Sequence, residues 1–149
     1  MTKHDKLSDA LAKAVKRRGT SAVSTALLAL AQEPKEATRT LTIVGNGGMH
    51  AIPEEFIHGE LYEATRGTID LSKCESIGAL YVSILRPLAD KLREKAWERI
   101  YFIPTGPTTL ALQIKLLVYH ITRISTVDLL YLRGDYTEID LDYRSYLSP

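Results

Sequence analysis

The pattern of apolar and polar residues between positions 40 and 142 predicts strands that alternate with helices. Short runs rich in β-branched and aromatic residues predict strands at Thr40–Val44, Thr68–Leu71, Arg99–Ile103 and Thr126–Leu132. Apolar and polar residues alternate in Tyr136–Asp142, which predicts an antiparallel strand at the edge of the sheet. Because strands that alternate with helices join through right-handed connections, the sheet should be mainly parallel.

Helices are predicted between these strands. The first begins at Pro53. The second carries an apolar stripe over Ile77–Leu92, and Pro87 should kink or divide it. The third begins near Pro107, capped by the residues before it, and is so rich in leucine and isoleucine that we expect it to be buried.

The two ends of the chain differ from this central region. Residues 1–39 predict a helical hairpin followed by a polar linker, with Gly19 between the two helices. Residues 143–149 predict a loosely held tail. The predicted fold is therefore an α/β, mainly parallel Rossmann-like sheet over residues 40–142, flanked by helices, with an N-terminal helical hairpin and a C-terminal antiparallel edge strand.

The composition excludes several functional classes. The chain has 149 residues, 45% of them hydrophobic and 25% charged, which is typical of a globular domain with its own core. A net charge of +1 gives no reason to expect duplex nucleic acid or an anionic membrane as partner. Cys74 is the single cysteine, which excludes an internal disulfide and a multi-cysteine metal site. We therefore expect a cytoplasmic protein without membrane segments and without a cofactor.

Polar residues follow the predicted strands and indicate where a ligand would bind. Parallel strands bring their carboxyl ends to one edge of a sheet, where α/β proteins bind ligands. Unpaired amides at the start of the helix near Pro107 favour an anion there. The predicted ligand-binding residues carry hydroxyls, an amide, open backbone or positive charge: Asn46, Gly47, Ser72, Lys73, Thr105, Gly106, Thr108, Thr109 and Arg133. Together they predict an anionic, hydrogen-bonding ligand such as a nucleotide.

The final third of the chain resembles the CARF domains, the CRISPR-associated Rossmann fold. The similarity lies in the turn Thr105–Thr109, the apolar helix after it, the strand at Val127–Leu132 and the returning strand at Glu138–Leu141. Pro107 and Thr109 stand where that family often has Gly and Lys. The resemblance implies a homodimer that binds a cyclic oligoadenylate, as a sensor or a metal-independent ring nuclease in prokaryotic antiviral defence.

A second, local similarity concerns Leu71–Ser76, which resembles the segment around the catalytic cysteine of caspase-like CHAT peptidases. That family places a His-Gly pair after the preceding strand, where this chain has Asn46-Gly47. A thiolate near neutral pH needs a base or a cationic neighbour. We therefore expect Cys74 to be a structural cysteine, which leaves a degenerate CHAT-like domain as an alternative.

A third interpretation is a STAS-like interaction module that binds another protein and no small molecule, with Ser72 or Ser76 as regulated residues. The histidines are scattered along the sequence, and His120 falls late in an apolar helix. Their spacing predicts no metal site, and no pair of carboxylates at helical spacing supports general acid–base hydrolysis.

Overall fold

The structure is a computed structural model that describes residues 39–147, so the predicted N-terminal helical hairpin lies outside the described residues. Within them the strands are β1 (Thr40–Val44), β2 (Glu60–Glu63), β3 (Arg99–Ile103), β4 (Val127–Leu132) and β5 (Asp135–Ile139). The helices are α1 (Ile77–Arg93), α2 (Thr108–Thr122) and α3 (Tyr143–Leu147). Single 3-10 turns cover Glu54–Phe56 and Leu71–Lys73.

The strands form one sheet in the order β2-β1-β3-β4-β5. The first three pairs in that order are parallel, and β5 pairs antiparallel with β4 at the edge. Both α1 and α2 lie between parallel strands in the chain, as a parallel sheet requires. The predicted α/β class, with a mainly parallel sheet and an antiparallel edge strand, is confirmed.

The two faces of the sheet are covered differently. Leu41, Ile43, Ile100 and Phe102 pack into one core together with buried residues of α1 and α2. The alternate strand residues face the other side of the sheet and form a smaller buried cluster there: Val44, Tyr101, Ile103, Val127 and Leu129. Ile52 and Phe56, in the connection between β1 and β2, pack against this cluster. The chain moves from β1 to β2 in one direction and from β2 to β3 in the other, so right-handed connections fall on opposite faces.

The region between β1 and α1 differs from the predictions. The helix predicted at Pro53 is a single 3-10 turn, and the strand that follows it, Glu60–Glu63, was not predicted. The strand predicted at Thr68–Leu71 is wrong, because that segment leads into the 3-10 turn at Leu71–Lys73. Local composition was misleading here, because β2 reads Glu-Leu-Tyr-Glu and has no apolar pattern. Its first residue, Glu60, pairs with Lys91 of α1, and its last, Glu63, pairs with Arg66 in the loop that follows.

The helices after that region are closer to expectation. α1 is one continuous helix through Pro87, so of the two predicted effects of this proline, a kink or a division, the division does not occur. The prediction that α2 is buried holds for one face only: Leu110, Ala111, Ile114 and Val118 are buried, and Leu117 and Ile121 pack partly against the core. Leu112, Leu116 and Tyr119 are exposed. The predicted tail forms the short helix α3. Among the described residues, no helix is both long enough and apolar enough to span a bilayer.

Candidate functional site

The loops after β1 and β3 diverge at the carboxyl edge of the sheet. β1 and β3 are neighbours, but the chain leaves β1 toward β2 and leaves β3 toward β4. Such a topological switch point leaves a crevice between the two loops, where open α/β sheets bind ligands. A cleft of about 390 Å³ opens here, which we call the switch-point crevice; its lining residues are Asn46, Met49, His50, Gly67, Thr68, Ile69, Thr105, Gly106 and Pro107.

Asn46 and Thr105 join the two loops at this crevice. The Asn46 amide donates to Thr105 Oγ1 over 2.8 Å, and Thr105 Oγ1 donates to the Asn46 carbonyl, also over 2.8 Å. The Asn46 side chain is buried; its Nδ2 donates to the Gly67 carbonyl at 2.7 Å, and its Oδ1 accepts from Thr65 Oγ1 at 3.0 Å. These two predicted ligand residues therefore hold the crevice together, and most of their polar groups are already paired.

Gly106 fits tightly against the same asparagine. Its φ is +91°, in the region that favours glycine. A Cβ placed on Gly106 would lie 2.9 Å from the Asn46 Cβ, which is closer than real side chains approach. Gly106 thus lets the β3–α2 turn pack onto Asn46 and shapes one wall of the crevice.

The N-terminus of α2 follows directly. Pro107 is its N-cap and provides no side-chain cap, so the prediction that Thr105 or Gly106 caps this helix is wrong. The first bond of the helical ladder runs from the Ala111 amide to the Pro107 carbonyl at 3.1 Å. The amides of Thr108, Thr109 and Leu110 therefore have no acceptor within the helix, and the dipole at this end favours negative charge.

The hydroxyl groups of the first turn of α2 differ in availability. Thr109 Oγ1 lies 2.6 Å from the hydroxyl of Tyr81 on α1, so it already has a partner within the protein. Thr108 is exposed, and its side chain makes no hydrogen bond among the described residues. Of the two predicted threonines, Thr108 is the one whose hydroxyl is available to a ligand.

A second cleft adjoins the switch-point crevice. It measures about 550 Å³, and we call it the β4–β5 cleft; its lining residues are Met49, His50, Ala51, Ile103, Pro104, Thr105, Leu129, Leu130, Tyr131 and Tyr136. Phe102 of β3 pairs with Asp128, so β4 continues for several residues after β3 has ended at Ile103. The β4–β5 hairpin therefore projects beyond the sheet edge and forms one wall of the cleft.

Arg133 lies at the tip of this hairpin, in the turn between β4 and β5. Arg133 and Gly134 have φ values of 56° and 91°, which is typical of a type I′ two-residue turn. Below the tip the rings of Tyr131 and Tyr136 meet edge to face, with centroids 5.2 Å apart. Burial raises the pKa of Tyr136, and the neighbouring Tyr131 adds to the shift. Tyr136 therefore remains neutral at physiological pH.

The other predicted site residues are engaged locally. Ser72 and Lys73 lie on a 3-10 turn, where the Ser72 hydroxyl donates to Asp70 Oδ1 at 2.5 Å and Lys73 Nζ lies 3.2 Å from Asp70 Oδ2. The hydrogen bond from Ser72 is the main cause that lowers the pKa of Asp70. Gly47 forms a parallel bridge with Arg66. In the described part of the chain, no hydrogen bond or ion pair joins Ser72, Lys73 or Arg133 to the Asn46–Thr105 pair.

Met49, His50, Tyr131 and Tyr136 were missed as site residues. The sequence carried a partial signal for the tyrosines, because the predicted β4 was longer than the predicted β3. The sequence carried no such signal for Met49 and His50. Their position depends on the loop after β1, which contains a single 3-10 turn where a helix was predicted.

A larger cavity of about 660 Å³ lies at the other end of β4. Two of its carboxylates are already paired: Asp128 binds Lys115, which also lines the cavity, and Asp140 binds Arg99 outside it. No group of three or more His, Cys, Asp or Glu residues suited to a metal ion occurs among the described residues. Cys74 is half-buried, and among the described residues no hydrogen bond or ion pair links its thiol to a histidine.

The chain matches no protein-family model, no curated protein and no solved structure.

Proposed function

We propose that this protein binds a nucleotide-type anion at the carboxyl edge of its sheet, and that the ligand is a cyclic oligoadenylate. The observation that carries the proposal is the pair of adjoining clefts at the topological switch point, which combine free helix amides with aromatic side chains. A nucleotide needs both features, since its phosphate is anionic and its base is flat and largely apolar.

The switch-point crevice supplies the phosphate-binding half. It borders Gly106 and Pro107, directly before the free amides of α2. Helix N-termini bind phosphate through such amides and through the helix dipole. Thr108 is exposed in the first turn of α2, and its hydroxyl adds a donor beside these amides.

The β4–β5 cleft supplies the base-binding half. Tyr131 is 61% exposed, which leaves its ring open to stacking, whereas Tyr136 is partly covered and supports it. Bases in single-stranded nucleic acids bind by stacking on such aromatic side chains. Met49 and Leu130 line the same cleft and add apolar contact area.

The choice of a cyclic oligoadenylate rests on the resemblance of residues 80–141 to CARF domains. A ring with an even number of nucleotides has a two-fold face, which fits two copies of one site in a homodimer. If the ring is cut, a ligand 2′-hydroxyl loses its proton to solvent and attacks the adjacent phosphorus in line. The bond from that phosphorus to the 5′-oxygen of the next nucleotide breaks, and this oxygen takes up a proton from solvent, which leaves a linear product with a 2′,3′-cyclic phosphate. The protein supplies geometry and charge stabilisation. The proposal places the protein in the cytoplasm, in prokaryotic antiviral defence.

Thermal-shift and calorimetric measurements on the full chain test the binding. The ligands are cyclic tetra- and hexa-adenylate, with 5′-AMP for comparison, and a bound ring should raise the melting temperature. Thr108→Asp should keep the fold, because an acidic residue suits a helix N-terminus, but should weaken ring binding at least tenfold by repelling phosphate. Thr108→Asn is the neutral control. No binding of either ring would refute the proposal.

A second pair of variants tests the aromatic half. Tyr131→Ala should weaken ring binding by about tenfold, since stacking contributes about 1–3 kcal/mol per base. Tyr146→Ala is the matched control, because Tyr146 is 56% exposed and lines neither cleft. Incubation with labelled rings then separates a nuclease, which releases linear products, from a sensor, which returns the ring intact.

A non-enzymatic, STAS-like interaction module is the second candidate, and one observation favours it. Leu112, Leu116 and Tyr119 follow each other along α2 at helical spacing, and each is more than half exposed. Exposed apolar stripes of this kind mark protein interaction sites. Loss of binding to a protein partner in Leu116→Arg, with ring binding absent from the wild type, would favour this candidate.

A further inference from the structure

His50 occupies a central position at the proposed site. The loop after β1 places this residue on the wall of three neighbouring clefts: the switch-point crevice, the β4–β5 cleft, and a third of about 370 Å³ that reaches Glu63 and Arg66. His50 is exposed, and it makes no hydrogen bond or ion pair among the described residues. Its imidazole is thus free to bind a ligand in either of the two proposed halves.

The other charged and titratable groups that line these three clefts are one paired carboxylate and guanidinium and two phenols. On the β2 side, Glu63 and Arg66 form a bidentate pair, with Arg66 Nε and Nη2 at 2.8 and 2.9 Å from the two carboxylate oxygens. On the hairpin side the neighbours are the phenols of Tyr131 and Tyr136. Histidine is the side chain that ordinarily changes charge between pH 5 and 8, so among these residues His50 is the natural proton-dependent group.

The geometry points to His50 as the phosphate contact that makes ligand binding depend on pH. This inference rests on the proposed function: a phosphodiester held near Gly106 and Pro107 shares the switch-point crevice with the imidazole. The imidazolium carries one positive charge and two N–H donors, whereas the neutral ring carries no charge and only one N–H donor. The proton comes from solvent upon binding, and no covalent bond forms or breaks in this step.

The sign of the pH dependence follows from this contact. A phosphodiester keeps its single negative charge throughout the neutral range, so only the protein changes charge. Bound phosphate favours the imidazolium over the neutral ring, so ligand binding is coupled to uptake of a proton. Affinity should therefore be highest at the acid end of the range over which histidine ordinarily changes charge, about pH 5 to 8, and fall toward its basic end.

Calorimetry of the full chain with cyclic tetra- and hexa-adenylate between pH 5.5 and 8.5 tests the inference. Wild-type affinity should fall about tenfold or more over this range, as expected for loss of one charged hydrogen bond. His50→Gln should bind at the weak, high-pH level throughout. His120→Gln is the matched control, since His120 is exposed on α2 and lines neither cleft.

Proton uptake provides a second readout that a merely structural role would not change. Titrations near pH 7 in two buffers of different ionisation enthalpy should show uptake by wild type and His120→Gln, and none by His50→Gln. A wild-type affinity that does not change with pH, or a pH dependence that survives in His50→Gln, overturns this inference and leaves the proposed function standing. A wild type that binds neither ring at any pH overturns both.

Discussion

The amide and carbonyl of Asn46 both bond to one hydroxyl, Thr105 Oγ1, over 2.8 Å each. This arrangement ties the loop after β1 to the loop after β3 and leaves neither backbone group of Asn46 unpaired. Since Asn46 is buried, removal of the hydroxyl would leave a donor and an acceptor without a partner. Stability of the carboxyl edge therefore depends on a side chain that was predicted to bind ligand.

Thr105→Val tests this role, because valine keeps the shape of threonine and lacks the hydroxyl. We expect the free energy of unfolding to fall by about 1–3 kcal/mol, the cost of unpaired buried groups. Urea unfolding followed by circular dichroism measures it. Thr105→Ser is the control and should lose less than half as much. A larger loss in Thr105→Ser than in Thr105→Val would mean that the methyl group, rather than the hydroxyl, stabilises the loops.

Gly106 and Gly134 share a φ of +91° and so form a matched pair. A Cβ on Gly134 has no atom within 4 Å, whereas a Cβ on Gly106 lies 2.9 Å from the Asn46 Cβ. Gly134→Ala should cost about 1–2 kcal/mol for the left-handed backbone alone. Gly106→Ala should cost at least about 1 kcal/mol more from overpacking. Equal losses in urea unfolding would contradict the steric role of Gly106.

Glu60 makes stability depend on pH. Lys91, with Nζ 2.7 Å from Glu60 Oε2, is the main cause of a lowered pKa of Glu60, and Lys95 adds to it. Because the folded value lies below the unfolded one, the pair stabilises the protein above about pH 4.5, and this contribution is lost as the pH falls through the folded value. Glu60→Gln should be less stable than wild type by about 1 kcal/mol at pH 7.

Denaturant unfolding of Glu60→Gln and wild type at several pH values measures this effect. The difference between them should shrink toward zero as the pH is lowered to 3. Glu75→Gln is the control, since Glu75 is exposed and makes no ion pair among the described residues. A difference that stays constant with pH would show that the ion pairs of Glu60 do not contribute.

The hydroxyls of Tyr81 and Thr109, 2.6 Å apart, link α1 to α2. A double-mutant cycle with Tyr81→Phe and Thr109→Val should give a coupling energy of about 0.5–1.5 kcal/mol, the usual net contribution of one hydrogen bond. Thermal or urea unfolding of the four proteins provides the values. Additive losses would show that the hydroxyls do not interact in solution.

The two faces of α2 should respond differently to the same truncation. Ile114 is fully buried and Leu116 is 62% exposed. Ile114→Ala should lower the free energy of unfolding by about 2–5 kcal/mol through lost burial and a cavity, and Leu116→Ala by less than about 0.5 kcal/mol. A loss of several kcal/mol for Leu116→Ala at low protein concentration would indicate that this face is covered in solution.

Local sequence was enough to locate much of the fold. β1, β3 and α1 are set by β-branched runs and helical periodicity, which depend on backbone geometry and near neighbours. The antiparallel edge strand and its turn at Arg133-Gly134 follow from alternation and turn chemistry. The position of the candidate site at the strand ends was likewise accessible, because the edge of a parallel sheet follows from topology.

Tertiary structure alone decided the rest. β2 carries no apolar pattern, since it lies at the sheet edge and is held partly by Lys91, 31 residues away from Glu60. Asn46 and Thr105 are 59 residues apart, and only the tertiary structure gives these two predicted ligand residues a structural role as well. Which leucines of α2 are exposed depends on where the sheet lies. Such long-range pairings are determined by packing of the whole core, which no local window of sequence contains.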